Sequence, residues 1–185
     1  MPGILWLNSN LVSLIFKKDY EDVLSFMPTS SEMSSSERRR SSESFGSLEK
    51  RIDGFIGSQL PPMDVLEPNS RDFGAALLTH TLAYASSIQL HSPFVDRDPR
   101  SMTKSVAAAE ASVGLLRRAK DADYLPPIMG VLWGNVGRVL AKEASRLRRS
   151  LRGGNREGEL LRDLDKLMDV MSAFVGGSPL IREYF

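Results

Sequence analysis

The chain holds two histidines, His80 and His91, and they are the natural place to look for chemistry. On a helix they would share a face, three turns and about 16 Å apart. That is too far for one metal ion. No serine–carboxylate pair stands near either histidine in the sequence, so the spacing gives no support to a nucleophilic triad. Two readings remain. In one, one histidine is a buried polar core residue and the other ends a helix. In the second, His80, Tyr84 and Trp133 line a small-molecule pocket between helices. The carboxylates are plentiful but diffuse. Asp96, Asp98, Asp121 and Asp123 fall where helices start, so capping explains them better than acid–base work. The absence of cysteine excludes disulfides, thiolate zinc sites, iron–sulfur clusters and a cysteine nucleophile. Gly153-Gly154-Asn155 follows no strand and lacks the lysine of a phosphate loop; it is a helix stop. The expectation is a protein without catalytic activity, metal or cofactor. An enzyme would need acid, base or nucleophile groups converging in one cleft.

The strongest local charge lies between Arg138 and Arg156. Lys142, Arg146, Arg148, Arg149 and Arg152 stand there, with Glu143 the only acid between Arg138 and Arg156. Arg146, Arg148, Arg149 and Arg152 are candidates for contact with nucleic acid, phosphate or an acidic protein. The competing reading is a solvated face whose cations favour the negative end of a helix. No aromatic residue interleaves the run, which argues against a single-strand stacking surface. Arg38-Arg39-Arg40-Ser41-Ser42 offers Ser41 and Ser42 to a basic-directed kinase, and the arginine triplet is also a short nuclear-import pattern.

The elements that would position these residues are helices. Charge is nearly balanced, 24 basic against 23 acidic residues, so no global field argues for nucleic acid or a membrane. With 42% hydrophobic residues in 185, the chain can bury one real core. Residues 1–28 read as an N-terminal segment with a short docking helix, too short and too polar to span a bilayer. It lacks the basic leader and small-residue cleavage site of a signal peptide. Residues 29–47, with nine serines and almost no apolar side chains, read as a disordered Ser/Arg-rich linker. Residues 48–185 read as the helical domain. Leu48, Ile52 and Leu60 open it at helical spacing, and Pro61-Pro62 ends that helix.

A second helix is expected from Asn69, apolar on most sides and therefore central; Phe73, Leu77, Tyr84, Ile88 and His91 form its main stripe. A third starts at Asp98, a cap, with Pro99 in the first turn; Met102, Val106, Ala109, Val113 and Leu116 face the core. A fourth opens at Pro126-Pro127 and runs to about Leu151. A fifth is capped by Asn155 and carries Leu160, Leu164, Leu167, Met171 and Phe174. The expectation is an all-α fold, an irregular bundle of about five to seven helices with mostly antiparallel neighbours.

Four pieces of text carry a family resemblance: Leu77-Leu78-Thr79-His80, Gln89-Leu90-His91-Ser92-Pro93-Phe94, the alanine-rich helix at 106–111, and Pro127-Ile128-Met129-Gly130. In this order and spacing, over roughly residues 45 to 152, the chain resembles the helical regulatory (middle homology) domain of fungal zinc-cluster transcription factors. The resemblance implies transcription regulation in the nucleus, through protein partners of the transcription machinery or a homodimer, with a small-molecule effector as a further partner. It implies no membrane and supplies no catalytic residues. The cysteine-rich zinc module that reads DNA in that family has no counterpart here, so direct DNA contact of that type is not expected.

Overall fold

The computed structural model describes residues 35–68, 70–119, 125–150 and 154–177. These residues form five α-helices: α1 (Ser35–Ser58), α2 (Arg71–His91), α3 (Pro99–Ala119), α4 (Ile128–Arg149) and α5 (Gly154–Gly177). Short 3-10 turns at Met63–Val65 and Ser92–Phe94 join α1 to α2 and α2 to α3. No strand occurs among the described residues. The fold is an all-α bundle.

Local chemistry starts and stops the helices. The Ser70 side chain accepts from the Phe73 amide at 3.1 Å, which makes Ser70 the cap of α2. Asp98 caps α3 with both oxygens, accepting from the amides of Arg100 at 3.1 Å and Ser101 at 3.0 Å. Pro99 follows it at the first helical position, where a missing N–H costs nothing. The α5 helix begins one residue earlier than its expected cap. Asn155 lies inside the first turn and donates to Glu159.

The helices pack as antiparallel neighbours. Glu49 of α1 meets His91 at the end of α2, while Pro61, just beyond α1, meets His80 in its middle. His91 also meets Ser101 near the start of α3, while Phe73 near the start of α2 meets Arg118 near its end. Gly137 of α4 faces Leu164 and Leu167 of α5, and Arg148 pairs with Glu157 where the two helices approach their connection. The α2 helix is central: it packs against α1, α3 and α4. Its residues from Leu82 to Leu90 are buried except Tyr84 and Gln89.

One main core gathers Phe73, Leu77, Val106, Met129, Trp133, Leu140 and Leu160 with their neighbours. Each such side chain stabilises the fold by roughly 1.5–3 kcal/mol through burial. The five expected core residues of α3 are all buried. In α5, Leu160 and Leu167 are buried while Leu164 and Met171 are half-buried. A satellite cluster of Leu48, Ile52 and Leu90 seats α1. Arg118 fastens the loop before α2. Its guanidinium donates to the carbonyls of Met63 and Leu66 and lies 5.3 Å from the centre of the Phe73 ring.

The linker expected over 29–47 is corrected for the part that is described. The α1 helix already runs from Ser35, so the ordered helical body starts before residue 48. The physical reason is docking. Phe45 sets its ring edge-on to both His91 and Phe94, at centroid distances of 5.4 and 5.2 Å. Once a helix is nucleated by such anchors, each further residue is added at small cost, and a serine-rich stretch can follow. The expected docking helix in residues 1–28 lies outside the described residues.

Candidate functional site

The densest gathering of titratable and nucleophilic groups sits where α1, α2 and α3 meet. The His91 ring is 2% exposed, Ser101 2% and Glu49 8%. His91 Nδ1 lies 3.1 Å from Ser101 Oγ, and its Nε2 lies 3.6 Å from Glu49 Oε1. This places a serine, a histidine and a carboxylate in contact, an arrangement that sequence spacing alone had given no reason to expect. Glu49 comes from a helix 42 positions away (91 − 49) and Ser101 from across a turn.

The direction of the protons decides what this cluster can do. Asp98 Oδ2 is 2.6 Å from Ser101 Oγ. A carboxylate only accepts, so the hydroxyl proton points at Asp98, whose hydrogen bond from Ser101 lowers its pKa. The serine oxygen then accepts from Nδ1–H of His91. A nucleophilic serine needs the opposite polarity, with histidine accepting the hydroxyl proton. Ser101 is therefore a bridge between a helix cap and a buried imidazole. Glu49 completes the joint. Arg100 Nη2 donates to both its oxygens at 3.1 and 3.2 Å, and Lys104 lies 3.8 Å away while bonding Asp53 at 2.6 Å. Burial lowers the pKa of His91; Glu49 and Asp53 oppose that shift, and Lys104 and Arg100 add to it.

His80 is also buried. Its Nε2 donates to the Pro61 carbonyl at 2.7 Å, and its Nδ1 has no hydrogen-bond partner. The rings of His80 and Tyr84 are neighbours, 6.3 Å between centroids, and burial raises the pKa of the Tyr84 hydroxyl. Trp133 belongs to the main core at 1% exposure.

The basic run is largely answered by carboxylates. Arg146 makes two bonds to Glu143, at 2.6 and 2.7 Å. Arg148 pairs with Glu157, and Arg156 with Glu110 and Glu159. Lys142 pairs with Asp96 at 2.8 Å. These contacts link α4 to α5, α5 to α3, and α4 to the loop before α3. Arg138 and Arg149 are exposed, and neither pairs with a carboxylate among the described residues. Arg152 lies outside the described residues. Ser42 is exposed on α1, and the Ser41 side chain lies outside the described ones.

A groove of about 450 Å³ opens between α2, α3 and α4 and includes Arg138 and Lys142 in its wall. Its residues are spread from 88 to 142 over three helices and the turn between α2 and α3. No local pattern in the sequence announces it, because its walls come together only when the helices pack. Among the described residues, no group of three or more His, Asp or Glu side chains could hold a metal ion, and no helix is long and apolar enough to cross a membrane. Comparison with protein-family models, curated proteins and solved structures finds no match to this chain.

Proposed function

We propose that this chain is a non-catalytic regulatory and interaction domain of the kind found in fungal transcription factors, acting in the nucleus through protein partners. The observation that carries the reading is the ordered set of resemblance segments and where they fall in the bundle. Leu77–His80 lies in the central helix α2, and Gln89–Phe94 forms its end and the following turn. The alanine-rich segment lies in the middle of α3, and Pro127–Gly130 opens α4. Each segment thus serves a helix or its boundary in one contiguous body. The polarity of the Ser101–His91 contact supports a non-catalytic role, because the only serine–histidine contact among the described residues is wired as a joint.

A basic-helix nucleic-acid binder is the rival reading. The pairing of Arg146, Arg148 and Arg156 with carboxylates weakens it, since a phosphate would have to displace an existing partner. The deciding experiment follows the tagged chain in fungal cells and measures chromatin association. In parallel, the purified chain is titrated with duplex DNA at several salt concentrations. Nuclear signal and chromatin association without direct DNA binding are the expected outcome. Direct binding that falls steeply with salt, and falls again when Arg146, Arg148, Arg149 and Arg152 become glutamine, would move the function to α4. A chain that stays out of the nucleus would overturn the regulatory reading.

A further inference from the structure

The first half of α4 has an outward face unlike the others. The outward face of α5 carries Arg162, Asp165, Lys166 and Asp169, and the second half of α4 carries Arg138, Lys142, Arg146 and Arg149, all exposed. Charge of this kind marks a face turned to water. From Tyr124 to Gly137 not one residue is charged. Within that stretch Ile128 and Val131, one turn apart, are 47% and 61% exposed. A helix face that is apolar and uncharged is normally covered.

The register of α4 against α5 shows what can reach this face. Gly137 faces Leu164 and Leu167. The two helices are antiparallel. Val131, six residues before Gly137 (137 − 131), is therefore level with about residue 172, and Ile128 with about residue 175. The α5 helix ends at Gly177, within one turn of that level. Residues 178–185 follow it and lie outside the described residues. Their sequence sets two apolar pairs, Leu180-Ile181 and Tyr184-Phe185, around the polar pair Arg182-Glu183. Pro179 lacks the N–H to carry α5 further. An extended segment of this length spans up to roughly 26 Å, while a helix with its side chains is about 10–12 Å across. The segment is long enough to cross α4. Met168 on α5 is 55% exposed as well, but it stands alone between exposed Asp165 and Asp169.

We propose that residues 178–185 fold back across the start of α4 and cover Ile128 and Val131 with their apolar pairs. Arg182 and Glu183 then remain in water, and the uncharged face gains the apolar partner that the described residues do not provide. Ordering a short segment opposes the contact, so the cover is reversible. This contact goes beyond the regulatory reading and does not depend on it: it is read on the purified chain, while nuclear action is read in cells.

The chain has no cysteine, so a single introduced cysteine can carry a nitroxide spin label. The test labels the full chain at Glu183→Cys and follows the paramagnetic broadening of its amide signals. Broadening is expected at residues 127–135 and not at residues 45–52 of α1. Replacing Ile128 and Val131 together by serine should lower the docked-to-free ratio roughly tenfold, and the broadening with it. Both side chains are exposed, so the bundle should stay folded. Leu180→Ser with Ile181→Ser should have the same effect from outside the bundle. Broadening that is absent, spread evenly over the surface, centred on Met168 or unchanged in both double variants would overturn the contact. A further sample mixes spin-labelled chain at natural isotope abundance with isotope-labelled chain that carries no nitroxide. Broadening of residues 127–135 in that mixture would mean that the segment docks on a second copy, and would overturn the fold-back as well.

Discussion

Two glycines on one helix give a controlled test of how α4 meets α5. Gly134 and Gly137 both lie in the interior of α4, where replacing glycine by alanine gains about 1 kcal/mol of helix propensity. A Cβ at Gly134 would meet nothing within 4 Å. Gly134→Ala should therefore realise the gain, raising the melting temperature by about 4 °C for a folded body of this size. At Gly137 the same Cβ would lie 3.2 Å from Leu167 Cδ2 and 3.6 Å from Leu164 Cδ1. Leu167 is 1% exposed and has little room to retreat. The gain should be largely cancelled, leaving Gly137→Ala within about 0.5 kcal/mol of the parent. Gly137→Val adds two further carbons against the same pair and should lose about 1–3 kcal/mol. Urea unfolding with a common slope measures all three. The expected order is Gly134→Ala above the parent, Gly137→Ala level with it and Gly137→Val below. If Gly137→Val matched the parent, or Gly137→Ala gained as much as Gly134→Ala, the two helices would not close at this point and the packing argument would fail.

The remaining predictions concern the polar joints. Burial holds the pKa of His91 below its ordinary value, so the unfolded chain binds the proton more readily than the folded one. The contribution of His91 is thus complete above about pH 6.5 and declines as pH falls toward the folded value, by at most about 1.4 kcal/mol per pH unit. Glu49→Gln removes an opposing attraction, so the decline should reach to lower pH. Unfolding between pH 5 and 8, above the range where Asp98 titrates, checks this, and a decline that shrinks in the variant would contradict it. Arg118→Ala should cost about 1–2 kcal/mol, because the Leu66 carbonyl loses its guanidinium donor and the Met63 carbonyl keeps only the Leu66 amide. Hydrogen exchange should show faster opening around residues 63–73, and unchanged exchange there would mean that the loop is held by other contacts.

The repeat of apolar residues along each helix made the bundle legible. Met102, Val106, Ala109, Val113 and Leu116 recur at 3.6-residue spacing, and all five face the core. Asp98-Pro99 announced the start of α3 because a cap is made by residues two or three apart. The first half of α1 was not legible. Residues 35–44 carry no apolar stripe, and their helix is propagated from anchors further along. Nor was the buried joint: the spacing of His80 and His91 was readable, but not that Glu49 and Ser101 would converge on His91.

Local chemistry in the chain was enough to give the set of helices, the starts of α2 to α5 to within about two residues, and the face that α3 turns to the core. The reason is that caps, prolines and periodicity act within one or two turns of chain. Which faces meet is set by the packed bundle as a whole. It paired Arg148 with Glu157 and Arg156 with Glu110, and so turned much of an apparently free basic run into contacts between helices. It also brought residues of α2, α3 and α4 into the lining of one groove. A pair 46 positions apart (156 − 110) is fixed by how helices cross, and helix crossing depends on the packing of the whole core.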